Sequence, residues 1–246
     1  MTKRILTIFA HPDDAETMAG GTLLKWAADG HAITLCLITD GDKGTSDPND
    51  TREAVIERRR AEQARAAALL GASILTLSYE DGTLQPTLEL RRDLVRVMRR
   101  VRPHCVVAND PTVWFRHGQY INHPDHRAAG QAAVEALYPA VKKASIFPEL
   151  LAEGLEPHVV EEVWLGPTDE PDVWVDIADV FDQKIALICE HASQFPPEPT
   201  RNAFARIARE AGQERGLALA EAFRTLRLSA NTVRALGDTE ARKKDH

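Results

Sequence analysis

Four short apolar runs, RILTIFA (4–10), AITLCLIT (32–39), SILTLSY (73–79) and HCVVAND (104–110), are each separated from the next by a stretch with helical periodicity. Buried parallel strands read as short, β-branched apolar runs of this kind, and parallel pairing requires a crossover between them. The crossovers are ETMAGGTLLKWAADG (16–30), TREAVIERRRAEQARAAALLGA (51–72) with Gly71 as terminator, and TLELRRDLVRVMRRVRP (87–103) ended by Pro103. Strand, helix, strand, helix in this order predicts an α/β fold, a Rossmann-like, doubly wound, mainly parallel sheet with helices on both faces. A helix from Pro124 to Leu137, strand-like runs VVEEVWL (159–165) and DVWVDI (172–177), and helices within 178–194 and 202–226 complete the chain. With 246 residues and no repeat or linker, the expectation is a single domain over 1–246, with a disordered tail from about 238.

Composition excludes several classes of function. The net charge of -7 gives a phosphate backbone or anionic membrane no electrostatic attraction, and the arginines of ERRRAEQAR carry their own glutamates, so neither nucleic acid nor membrane insertion is expected. The first apolar run stops at His11-Pro12-Asp13-Asp14, too short for a signal peptide core, and no 18-residue apolar span occurs. Cys36, Cys105 and Cys189 are odd in number, far apart and set in apolar contexts, which suggests buried thiols in a reducing cytoplasm.

Ligands of a doubly wound sheet gather at the carboxyl ends of its strands. Two charged motifs fall on such loops: HPDDAE (11–16) directly after the first strand, and HPDH (123–126), which opens a helix one loop beyond HCVVAND. No G-x-G-x-x-G follows the first strand and no P-loop is present, which weakens a dinucleotide reading. Each motif alone also reads as a strand-to-helix turn, with Pro in the first helical turn and acids capping it. Two such triplets on active-edge loops point instead to a metal site. His11 and Asp14 at i and i+3 converge on one side of a turn, His126 closes the set, and a fourth position is left for water. Two imidazoles and one carboxylate suit catalytic zinc, Zn2+, and also hold Fe2+. Asp13 is then free to be a general base, His123 to polarise a carbonyl and protonate the leaving nitrogen, and Asp125 to hold His123 cationic by charge pairing.

These residues resemble the PIG-L/LmbE-like zinc de-N-acetylases, which carry AHPDD near the N-terminus and HPDH about half-way along. ITDGDKGT, the helix with Arg59 and Glu62 ending in ALLGA, SYEDGTL, RPHCVVANDP, DQKIALICEHASQ and LALAEAFR are similar to family landmarks and occur in family order. The resemblance implies His11, Asp14 and His126 as metal ligands, Asp13 as base and His123 as electrophilic partner. It further implies Arg59 as a substrate contact and Asp81 as a sugar-hydroxyl ligand, although Asp81-Gly82 also reads as a plain turn. His191 and Gln194 either approach the site or cap a helix end; His117 reads as a surface residue. Trp114, Phe115 and Tyr120 read as sugar-stacking or core aromatics, and Ile121 stands where some members have a catalytic tyrosine. The activity implied is removal of acetyl from a small-molecule N-acetyl sugar conjugate by a cytoplasmic enzyme, with the homo-oligomer common in the family. A jelly-roll Fe(II) oxygenase and a non-catalytic metal- or sugar-binding module are the alternatives; the alternating architecture speaks against the first, and the presence of Asp13 and His123 against the second.

Overall fold

The computed structural model describes residues 2–116 and 120–228; His117 and the tail from 238 lie outside them. The elements that build the crevice come first. They are β1 (Arg4–Phe9), α1 (Asp14–Ala28), β2 (Ala32–Thr39), α2 (Arg52–Leu70), β3 (Ser73–Tyr79), α3 (Leu88–Val101) and β4 (Cys105–Ala108). After β4 come a short hairpin of β5 (Phe115–Arg116) and β6 (Tyr120–Ile121), then α4 (Pro124–Leu137), α5 (Glu149–Ala152) and β7 (Glu162–Leu165). The chain closes with β8 (Val173–Asp176), α6 (Phe181–Cys189), α7 (Pro197–Gln213) and β9 (Ala220–Arg227).

The main sheet has the order β3-β2-β1-β4-β7-β9-β8. From β3 through β7 every pairing is parallel, while β9 runs antiparallel to both β7 and β8. The mainly parallel, doubly wound sheet expected from the alternation is therefore present. Its central strand is apolar on both sides because helices cover both faces. Leu6, Ile8 and Ala10 pack with Leu90, Leu94, Met98 and the alanines of α4, whereas Ile5 and Phe9 pack with Ala15, Ala19 and Leu23 of α1 and Ala66 and Leu70 of α2.

One expectation is corrected. The stretch 217–226, rich in Ala and Leu, reads as the end of a long helix, yet the helix ends at Gln213 and residues 220–227 form β9. Gly216 at φ 67° and the close approach of Gly212 to the Leu217 carbonyl turn the chain sharply. Pairing on both sides then overrides helix propensity, since β7 and β8 would otherwise expose their edges.

Topology fixes where the site lies. β1 leads by way of α1 to β2 on one side, while its other neighbour β4 leads on to β7, so the strand order reverses between β1 and β4. A crevice opens at that switch point, beyond the carboxyl ends of the two strands. Residues 10–13 follow β1 on one side of it, and residues 109–116 and 120–123 follow β4 on the other. The second wall is packed tightly: an added Cβ on Gly130 of α4 would lie 2.4 Å from the Asn109 carbonyl oxygen, so glycine lets α4 press against the end of β4.

Candidate active site

Asp13 is the N-cap of α1 at φ 96°, a left-handed conformation that costs a non-glycine residue roughly 1–3 kcal/mol. It makes no side-chain capping bond, so a simple capping role does not explain it. The turn instead splits the two adjacent carboxylates. Asp14 points inward: its Oδ2 accepts from the His11 backbone N–H at 2.8 Å and lies 3.4 Å from His11 Nδ1, while its Oδ1 lies 3.0 Å from His126 Nε2. Asp13 points aside, where its Oδ2 accepts from Arg59 Nη2 at 2.8 Å. At α4, Pro124 occupies the first turn as expected, and the N-cap is His123, whose Nδ1 accepts from the Asp125 backbone N–H at 3.1 Å.

The ligand atoms of His11, Asp14 and His126 lie within 4.8 Å of one another, and so do those of His11, His123 and Asp125. Three imidazoles share this space, with ring centroids 4.8–5.3 Å apart. Burial by itself would lower the His11 pKa, but Asp14, Asp125 and Asp81 outweigh it and raise it to about 12. Burial would likewise raise Asp14, but His126 and His11 hold it well below the usual carboxylate range. Such a cluster, which attracts positive charge strongly and offers two imidazoles and a carboxylate, fits a divalent cation. Beside it, burial raises Asp13 to about 6 against the pull of Arg59, with Asp14 adding to the rise.

Three expected residues have partners within the protein that the sequence did not suggest. The Asp125 carboxylate accepts from Gly82 N–H at 2.7 Å and Leu84 N–H at 3.2 Å and lies 3.4 Å from His11 Nε2. The backbone N–H of Asp125 meets His123, and burial, aided by His11 and His126, lowers the His123 pKa although Asp125 pulls it upward. Asp81, at the start of the loop after β3, is 5% exposed and lies 3.1 Å from His11 Nε2, facing that imidazole more closely than solvent. Arg59 is 3% exposed and donates to Asp13 and to the Pro12 carbonyl from inside the fold, because α2 turns it toward the sheet along with Val55, Gln63 and Ala66.

Other candidates separate. His191 is wholly buried, 3.7 Å from Glu16, in a layer behind Asp13. Gln63 ties that layer to the site, accepting from Asp13 N–H at 3.3 Å and donating to Glu16 at 2.7 Å. Gln194 donates to the Gly44 carbonyl and so braces loop 40–50. Trp114, Phe115 and Tyr120 are exposed on and beside the hairpin, with the Arg127 guanidinium stacked 3.8 Å over Trp114. Sequence reasoning passed over Asn122, Gln63 and Glu16. Gln63 had a visible signal, since it falls with Arg59 on the same helical stripe as Val55, Ala66 and Leu70.

Among the described residues no helix is long and apolar enough to cross a membrane. The sequence profile of PIG-L, described as GlcNAc-PI de-N-acetylase, matches residues 6–137. A diacetylchitobiose deacetylase of Thermococcus kodakarensis is 37% identical over 197 residues, 80% of this chain and 72% of that protein. A 1D-myo-inositol 2-acetamido-2-deoxy-alpha-D-glucopyranoside deacetylase of Rhodococcus erythropolis is 26% identical, over 82% of this chain and 85% of its own length. Among solved structures, the N,N'-diacetylchitobiose deacetylase of Pyrococcus horikoshii superposes with a TM-score of 0.84 at 32% identity, covering 92% of this chain and 84% of that one. With the family profile spanning both charged motifs and the sheet between them, the chain belongs to the PIG-L family of GlcNAc-PI de-N-acetylases.

Proposed function

We propose that this protein is a metal-dependent hydrolase that removes the N-acetyl group of a small N-acetylglucosaminyl compound, releasing acetate and a free amine. The observation that carries this reading is the division of labour between adjacent carboxylates: Asp14 lies between two imidazoles, and Asp13 is turned aside beside Arg59 with its pKa raised. A purely structural turn has no need of this split. A site for binding alone has no need of a strained, half-buried second carboxylate.

His11, Asp14 and His126 would hold the cation, with zinc the first choice for this donor set and iron(II) an occupant of the same ligands. When bound, the ion supplies Lewis acidity, acidifying water and polarising a carbonyl. Arg59 engages Oδ2 of Asp13, which leaves Oδ1 to take the proton of the attacking water. His123 accepts at Nδ1, so its neutral ring carries hydrogen on Nε2 and donates to the oxyanion that develops on the amide carbonyl. Asp13 then gives its proton to the departing nitrogen as the C–N bond breaks, which leaves acetate and amine balanced against one water. Arg59, held against Asp13, and the exposed Trp114, Phe115 and Tyr120 are the candidates to contact a sugar ring. Diacetylchitobiose heads the substrate panel, because the diacetylchitobiose deacetylases above resemble the chain over most of its length. The acidic surface and reduced-thiol pattern support a single-domain cytoplasmic enzyme, with a homo-oligomer the assembly to test for.

The test is acetate release from diacetylchitobiose, N-acetylglucosaminyl inositol and N-acetylglucosaminyl malate, run beside elemental analysis. Acetate and amine in equal amounts, lost on chelation and restored by zinc, are expected. Metal-replete protein that releases no acetate from any of the three would overturn the reading.

A further inference from the structure

Each of the two histidines facing the cation position has a second ring nitrogen with a partner of its own. His126 Nδ1 lies 3.3 Å from Asn122 Oδ1. Asn122 is 3% exposed and its orientation is fixed, because its Nδ2 donates to the Val113 carbonyl at 2.9 Å and its backbone N–H to the Trp114 carbonyl at 2.9 Å. With the amide nitrogen committed, the oxygen must be the acceptor, so His126 carries hydrogen on Nδ1. Its Nε2, 3.0 Å from Asp14, is then the nitrogen left to face a cation.

His11 is arranged in the opposite sense. Its Nε2 lies 3.1 Å from Asp81 Oδ1 and 3.4 Å from Asp125 Oδ2. Both carboxylates are buried and anchored by backbone N–H groups, Asp81 by Lys43 at 2.8 Å and Asp125 by Gly82 and Leu84. An ionised carboxylate only accepts, so Nε2 keeps its hydrogen toward Asp81 and Asp125, and Nδ1, beside Asp14, is the nitrogen whose proton a bound cation displaces.

We infer that Asp81 and Asp125 on one side, and Asn122 on the other, are positioning residues that lock the two imidazoles in opposite tautomers, so that His11 presents Nδ1 and His126 presents Nε2 to the cation. This rests on the proposed metal site and gives two carboxylates a role on the ligand, since Asp81 and Asp125 both face His11 Nε2. Ligating histidines that lose such a partner usually lose about 10–100-fold in metal affinity. The competing arrangement, in which His11 Nε2, His123 and Asp125 gather a second cation, requires His11 Nε2 to give up the hydrogen that Asp81 and Asp125 accept.

The experiment loads full-length protein, labelled with 15N-histidine, with zinc and reads ring tautomers by long-range 1H–15N NMR. Zinc affinity is measured alongside by competition with a chromophoric chelator. Expected are Nε2–H on His11, Nδ1–H on His126, and one equivalent of zinc. Asn122→Ala should weaken zinc roughly 10–100-fold. Asn122→Asp keeps the acceptor while losing the donor to Val113 and should recover most of that loss; a merely structural Asn122 would leave both variants equally weak. Asp81→Ala should weaken zinc, and Asp81→Asn less so. Zinc bound with either tautomer reversed, or a second equivalent taken up with loss of the His11 Nε2–H, overturns this inference and leaves the proposed function standing. Wild-type protein that takes up no zinc overturns both.

Discussion

Replacing Glu221 with alanine should be among the most damaging single changes outside the site. Its carboxylate, 5% exposed, accepts from Gly21 N–H, Thr22 N–H, the Thr22 hydroxyl and Lys184 Nζ, at 2.6–2.8 Å. Lys184, equally buried on α6, also donates to the Thr17 carbonyl in the first turns of α1. Glu221→Ala therefore strands a buried ammonium and removes the acceptor of three further donors. Breaking one side of a buried pair costs about 3–5 kcal/mol. At about 2–4 °C per kcal/mol for a chain of this size, Tm should fall by roughly 6–20 °C. Lys184→Met with Glu221→Gln removes both charges but keeps length and one acceptor, so the double variant should lose less than the sum of the two single variants. Calorimetry at fixed protein concentration reads all five proteins: wild type, Glu221→Ala, the two single variants and the double variant. A Glu221→Ala protein melting within about 2 °C of wild type would refute the view that this pair holds α1 against α6 and β9.

The glycine at 130 offers a second test. Gly130→Ala forces a Cβ against the Asn109 carbonyl and should cost about 1–3 kcal/mol by thermal melting. Because α4 carries His126, zinc affinity should fall with it; a variant as stable and as tight as wild type would remove the close packing from the account. The third test is the pH profile. A general base works ionised, so kcat/KM should rise with pH through the Asp13 ionisation, which burial sets at about 6 and a cation on Asp14 draws downward, placing the acid limb at or below about pH 6. Asp13→Asn should abolish that limb in its residual activity, and an unchanged limb assigns the ionisation elsewhere.

The alternation of apolar runs with helical stretches made the sheet legible, because buried parallel strands and their crossovers leave a strong periodic signal. The Asp13-Asp14 and His123-His126 pairs were legible for a different reason: strand-end position and short spacing confine them to the two walls of one crevice. β9 was not legible, since Ala220-Glu221-Ala222 prefers helix and only the long-range pairing with β7 and β8 reverses that. The hairpin of β5 and β6 has two residues in each strand, too few to show a period. The partners of Arg59, Asp81 and Asp125 depend on contacts 46, 70 and 114 residues distant in sequence, made by closure of the fold and not by local pattern. Polar residues on an otherwise buried stripe, such as Arg59 and Gln63 on α2, are the sequence trace such contacts leave.

The central claim is that two neighbouring carboxylates do different work, Asp14 on the ion and Asp13 on the proton. Zinc stoichiometry and kcat for acetate release, measured on Asp13→Asn and Asp14→Ala side by side, test it most directly. Asp14→Ala should lose the ion and the activity together, with partial rescue by excess zinc, because the ligand between His11 and His126 has gone. Asp13→Asn should keep about one ion per chain and lose roughly 10²–10⁴ in kcat, the usual span for a general base. An Asp13→Asn protein that is metal-free, or metal-replete and nearly fully active, would contradict the account.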